Sequence, residues 1–257
     1  MIFVTVLYLA FLVSPILLLL VGSFGEVWSN TLLPDGLTTR WYAEVAADPS
    51  FRRAFVTSLS VVAMTCALNA LVGLPLAYAI HAGEHRGMRF AVRLATLMPI
   101  AAPELVLAFG FILVFSSDAA PWLGSFWLLV VAHVVLTLPY TVTTLVADMD
   151  QLRLGEFEQA AATLGASFGQ RLRDVVLPLV AASLLSAQLI VAALSIGEFQ
   201  LSNIVAGFLS RTYPVVLLQA FYGATGFACA ATVVLLTLAI TASLAGSLTA
   251  SVAGRAA

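Results

Sequence analysis

Three ionisable side chains, Glu104, His133 and Glu198, stand inside stretches of this 257-residue chain that are otherwise apolar. A carboxylate in hydrocarbon costs at least ~2–3 kcal/mol even on lenient insertion scales, so such groups face an interior or a cavity and mark candidate ion or solute paths. Glu104 and Glu198 could pair with a cationic solute, and together with His133 they could relay protons. Satisfied by neighbouring backbone, the same groups would serve packing alone; for His133 a hydrogen bond between helices is the simpler role. Two further patterns have the letters of catalytic motifs. His81-Ala82-Gly83-Glu84-His85 fits the H-x-x-E-H of inverted zinc proteases, and Gly165-Ala166-Ser167-Phe168-Gly169 fits the G-x-S-x-G nucleophile elbow. The first needs both imidazoles on one stable helix, which Gly83 weakens, and a further ligand. The second needs a preceding strand and a histidine partner. Neither context is present, so no catalytic residue and no metal site is expected.

The elements that must position these residues are membrane spans. Hydrophobic residues make up 61% of the chain and charged residues 9%, against about 25% charged in soluble domains, and the mean hydropathy is +1.05. Runs at 2–21, 54–80, 94–115, 124–146, 179–199 and 227–250 are each long enough to cross a core about 30 Å thick, with Glu104 and Glu198 interrupting two of them. The fold expected is therefore an all-α membrane protein of about six transmembrane helices, a single domain over 1–257. The first run lacks a basic flank and exceeds the apolar length of a secretory signal, so it reads as an uncleaved span. Arg86, Arg89 and Arg93 in one connection, and Arg153, Arg171 and Arg173 in another, place both loops and both termini in the cytoplasm by the positive-inside rule. Cys66 and Cys229 read as packing residues rather than a disulfide. All eleven basic residues are arginine. Without lysine the chain cannot build a standard phosphate loop or a Schiff base.

Outside the spans, 36–55 predicts a short interfacial helix with Trp41, Tyr42 and Val45 on one side, and 200–226 predicts a partly re-entrant or surface-lying cap on the outer face. Pro99 and Pro103 near the start of span three suit close packing or a cavity lining. The segment 148–178 is the odd one. It predicts a helix over 148–164 with Asp148 or Asp150 at its positive end and an apolar stripe of Leu152, Phe157, Ala160, Ala161 and Leu164. Gly165 then takes a left-handed stop, Ser167 and Gln170 form a capping box, and a second short helix ends at Pro178. Such an elbow fits a socket on another protein. On residues alone, an amphipathic loop lying on the bilayer remains open.

Glu158, Ala160, Ala161, Leu164, Gly165, Ala166, Leu177 and Pro178 match, in order, E-x-A-A-x-x-L-G-A followed about eleven residues later by L-P. This resembles the coupling loop of the integral membrane permeases of binding-protein-dependent ABC importers (MetI-like), and the chain is similar to their polyamine, phosphonate, thiamine, iron and sulfate branch. Phe168 stands where many members have proline. The resemblance implies a second permease subunit, cytoplasmic ATP-binding subunits that dock the elbow, an extracytoplasmic solute-binding protein, surrounding lipid and no nucleic acid. It implies a bacterial cell membrane location and no cofactor of the chain's own, ATP being bound by a partner. Glu104 favours an organic cation or zwitterion as solute, such as a polyamine, aminophosphonate or thiamine, over iron, sulfate or molybdate. A proton-coupled secondary transporter using Glu104, Glu198 and His133 is the competing reading.

Overall fold

The computed structural model describes residues 2–28, 33–83 and 85–256, with the side chains of all these except Ile2, Arg86, Met88 and 242–256. Its elements in order are α1 (Ile2–Phe24), β1 (Gly25–Val27), β2 (Asp35–Leu37), α2 (Arg40–Ala47), α3 (Pro49–Ala82), α4 (Arg86–Ala101), α5 (Glu104–Phe115) and α6 (Phe126–Gln151). There follow α7 (Leu154–Thr163), α8 (Phe168–Arg171), a π-helical turn (Leu172–Val176), α9 (Leu177–Gly197), α10 (Gln200–Val205), α11 (Tyr213–Phe221) and α12 (Thr225–Ala256). Among the described residues, four helices are long and apolar enough to cross a membrane: Phe3–Phe24, Pro49–Ala82, Phe126–Gln151 and Phe168–Gly197. The run expected as span three is instead two helices, Arg89–Ala101 and Glu104–Phe115, bent by 103°. Pro103 explains the break. It disfavours helical backbone at Ala102, whose ψ is 133°, and it then opens α5 as a residue that needs no donor. The last expected span falls in α12, apolar over Thr225–Thr241.

The chain divides into two compact units, Met1–Val56 with Thr212–Ala257, and Thr57–Arg211. In the first, α1 and α2 pack on α12, and β1 pairs antiparallel with β2, Gly25 opposite Leu37. Its core joins Val45, Phe51, Tyr213 and Val216 to Ala230 and Ala231, small residues that let α12 approach closely. The helix expected near 36–55 is α2, and its aromatics are tied inside this unit: Trp41 Nε1 donates to the Gly25 carbonyl at 2.7 Å, and the Tyr42 hydroxyl lies 2.7 Å from Ser23 Oγ. Asp48 caps the next helix, its carboxylate accepting from the Ser50 and Phe51 amides at 2.7 and 3.0 Å.

The second unit is organised by α6, the most buried of the span-length helices, which packs along α9. Its largest core cluster includes Ala77, Ile80, Val142, Leu145, Met149, Leu154, Val176 and Val180. A second cluster sets α10 against α5 and α6 through Ala108, Leu128, Ala132, Leu201 and Val205. The segment expected as one cap over 200–226 is therefore two helices in different units, α10 here and α11 in the first. Two glycines seat the end of α10. The Gly207 amide donates to the Gly124 carbonyl at 3.2 Å, with Gly124 at φ +80° and no room for a side chain on Gly207.

Candidate functional site

The elbow begins later than the sequence pattern suggests. Val142, Leu145, Val146 and Met149 keep helical spacing and stay in the core, so α6 continues to Gln151 and takes Asp148 and Asp150 with it. Both acids therefore lie in the last turn of α6 rather than at the start of the docking helix. The chain turns at Arg153, a left-handed non-glycine residue with φ 52°, and α7 starts at Leu154. Gly165 ends α7 with φ +85°. The Ala166 amide reaches back to the Ala161 carbonyl at 3.1 Å and the Gly165 amide to that of Ala162 at 3.0 Å, the paired bonds of a Schellman stop. Ser167 then accepts from the Gln170 amide at 3.4 Å while the Gln170 side chain accepts from the Ser167 amide at 2.8 Å. Ser167 is thus committed to capping.

Pro178 does not end the second helix. Phe168–Gly197 runs as one 30-residue apolar helix, and the π turn at Leu172–Val176 makes this possible: the Leu177 amide bonds the carbonyl five residues back, on Leu172. Widening the turn just ahead of Pro178 accommodates a ring that would clash with the carbonyl four residues earlier and an amide that cannot donate.

Glu158 faces inward. Its side chain is buried, with the residue 7% exposed, and its Oε1 accepts from the Tyr78 hydroxyl at 2.8 Å, binding α7 to the end of α3. Tyr78 also stands against the Phe168 ring, centroids 6.1 Å apart. The outward surface carries Phe157 (51% exposed), Leu164 (89%) and Phe168 (55%), with Ala160 and Gly165 between them. Ala161 and Ala166 are half-buried, and Leu177 and Pro178 are exposed at the start of α9. The corner is therefore rigid inside and apolar outside.

The intramembrane residues converge more closely than their spacing reveals. His133 on α6 has Nδ1 2.8 Å from Ser195 Oγ on α9 and Nε2 2.9 Å from Ser202 Oγ on α10. Glu198 lies 3.5 Å from the same Nε2 and accepts from the Leu201 and Ser202 amides at 2.6 and 2.9 Å and from Ser202 Oγ at 2.5 Å. It closes the first turn of α10 from the α9–α10 corner, where the bare amides would otherwise be unpaired. Thr137, one turn after His133, donates to the His133 carbonyl and accepts from Asn69 on α3 at 2.9 Å. Ser195, Ser202 and Thr137 were not singled out by sequence; a small hydroxyl one turn from a buried histidine is the signal that could have flagged Thr137. Glu104 opens α5 outside this closed set, half-buried and within electrostatic reach of Glu198. The structure thus joins His133 to Glu198 directly and brings Glu104 near.

Of the zinc-protease pattern, His81 belongs to the last turn of α3, His85 precedes α4 across a break, and Glu84 lies outside the described residues. His81 Nδ1 instead meets Asp150 at 2.8 Å.

A family model described as "binding-protein-dependent transport system inner membrane component" matches residues 69–250, a stretch that contains both the elbow and the polar cluster. The chain belongs to this family. As an inner membrane component it is 29% identical over 210 residues to the spermidine/putrescine transport system permease protein PotC of Escherichia coli (strain K12), covering 80% of this chain and 75% of that one. It is 26% identical over 194 residues to the putative 2-aminoethylphosphonate transport system permease protein PhnV of Salmonella typhimurium (strain LT2), covering 76% and 72%. Its fold matches a chain of a bacterial ABC transporter that imports the acidic polysaccharide alginate, with TM-score 0.79 at 15% identity over 96% of this chain and 92% of that one. The MetNI methionine ABC transporter in an inward-facing conformation matches with TM-score 0.66 at 16% identity, over 78% and 94%. This inner membrane component is a multi-pass transport protein with the ABC importer permease fold.

Proposed function

We propose that the chain is the permease subunit of an ATP-driven importer in which a separate cytoplasmic ATPase docks on the elbow, a second permease subunit completes the path, and an extracytoplasmic binding protein delivers the solute. The observation that carries this reading is the exposed apolar surface of Phe157, Leu164 and Phe168, set on a corner fixed by a Schellman stop, a capping box and the Tyr78–Glu158 bond. A loop meant only to rest on lipid would not need such internal rigidity. ATP hydrolysis belongs to the partner, in keeping with a chain that has no lysine. Both termini and the elbow face the cytoplasm.

The solute is an organic cation or zwitterion bearing an amine. Glu104 stands at the head of a broken span beside a second carboxylate, and charge pairing in a partly dehydrated path is stronger than in water. The two relatives are named for spermidine and putrescine and for 2-aminoethylphosphonate, all of them amines. Glu104→Gln in the assembled transporter is expected to cut uptake of the amine while ATPase activity stimulated by the loaded binding protein is retained. Normal uptake would assign Glu104 to structure and return inorganic ions to the candidates. Orientation is checked with single cysteines at Ser167 and at exposed Phe208, in a background lacking Cys66 and Cys229. Opposite labelling by an impermeant thiol reagent is expected. Ser210 is unsuitable for this purpose because it is buried against the Gly124 carbonyl.

A further inference from the structure

We infer that α4 forms, with the ends of α3 and α6, a binding site for the headgroup of an anionic phospholipid. A pocket of about 230 Å³ opens there, lined by Arg89 and Arg93 from α4, Ile80 and His81 from the last turn of α3, and Asp150 from the last turn of α6, with Phe90 on its rim. Arg89 and Arg93 are four apart, so their side chains share one side of α4 and can converge on one phosphate. Among the described residues the ion pairs involve His81, His133, Arg153 and Arg173, so neither pocket arginine is matched to a carboxylate. The acid on the lining, Asp150, is held by His81 at 2.8 Å. The site therefore presents two forked cations to one paired acid.

The surroundings select a lipid over a free anion. Around α4, Val92 is packed in the core of the second unit, the arginines flank it, and beyond them Phe90, Leu94 and Met98 form an exposed apolar stripe (68%, 54% and 65% exposed). Arg89 and Arg93 lie by Asp150 in the last turn of α6, whereas Glu104, just past the far end of α4, is within electrostatic reach of Glu198 beside His133, about 25 Å back along α6, so α4 runs along α6 with its arginines at the membrane face. A span whose first turns are basic and whose outer face is apolar holds its arginines at headgroup level. A phosphate on Arg89 and Arg93 would leave its acyl chains along Phe90 and Leu94, and basic pockets at the ends of spans are suited to such headgroups.

The test uses the purified full-length chain in detergent, offered equal amounts of phosphatidylglycerol and phosphatidylcholine with identical acyl chains, with retained lipid read by native mass spectrometry. Phosphatidylglycerol is expected to be retained about thirty-fold better, the effect of two arginines near the phosphate. Arg89→Gln with Arg93→Gln should abolish the preference, Arg89→Lys with Arg93→Lys should keep most of it, and Arg171→Gln with Arg173→Gln should leave it intact. Equal retention of the two lipids by the wild type would overturn the proposal without recourse to any variant. So would displacement of phosphatidylglycerol by glycerol 3-phosphate alone, which would make this a free-anion site. Loss of ATPase binding by the double glutamine variant, with lipid preference unchanged, would assign the surface to the partner protein instead.

Discussion

The elbow at 154–171 satisfies its backbone within about a dozen residues, whereas the His133 cluster is assembled from side chains 62 and 69 positions apart. In the first, Gly165, Ser167 and Gln170 each answer a neighbouring amide or carbonyl, and one exposed apolar surface is left over. In the second, every polar group is turned inward, and Ser195, Glu198 and Ser202 close on a histidine with no solvent contact. Local capping shapes a surface for something outside the chain. Buried convergence fixes how the chain's own helices meet, since a half-satisfied polar network is costly where no water can enter.

Glu158 is where that contrast can be broken most severely, because it is the point at which the elbow behaves like the interior. Glu158→Lys places a charge in a buried site, removes the acceptor of Tyr78 and should cost ~3–5 kcal/mol. Poor recovery of folded chain from membranes is expected, checked by fluorescence-detected size-exclusion chromatography; a normal profile would show that the α3–α7 contact is dispensable. Glu198→Ala comes next. It strips the Leu201 and Ser202 amides of their acceptor, while the Ser202 hydroxyl keeps His133 as a partner, and about 2–6 kcal/mol of stability should go, at ~1–3 kcal/mol for each unsatisfied amide. Thermal unfolding of the purified chain measures it, and an unchanged midpoint would mean that water replaces the carboxylate.

Gly165→Val sharpens the comparison from the other side. A Cβ there would meet nothing within 4 Å, so its penalty is the positive φ alone, about 1–2 kcal/mol. Stability should fall slightly while ATPase association and uptake fall strongly. Loss of stability in step with loss of uptake would make the corner merely structural. Glu104→Gln should be smallest of all in stability, within about 0.5 kcal/mol, as for substitutions away from a closed network. A larger loss would place Glu104 inside the buried set.

How legible these regions were follows from the same division. The Gly165 stop and the Ser167–Gln170 box were readable because each is written within three or four residues and acts through backbone geometry that sequence fixes directly. The start of the elbow was not: Asp148 and Asp150 look like helix-opening acids, yet tertiary packing of Val142, Leu145 and Met149 carries α6 past them. Pro103 was visible as a kink, but its angle depends on what α4 packs against. For Glu158 the motif marked importance and gave no direction, since the Tyr78 hydroxyl that turns it inward lies 80 residues away. Glu104, Glu198 and His133 were singled out by the cost of charge in lipid. That cost could not tell the two that are locked together from the one left partly open.

The unbroken helix over Phe168–Gly197 joins the two regions contrasted above. Thirty residues make a rod of about 45 Å, with the capping box at its foot and Ser195, a partner of His133, near its head. Treated as a lever, a rocking of roughly 10° at the foot would carry the head about 8 Å, more than twice the reach of the hydrogen bonds that Ser195 makes. The His133–Ser195 contact would then work as a detent: it holds the rod in one position against α6, and it lets go only when the rod moves relative to α6.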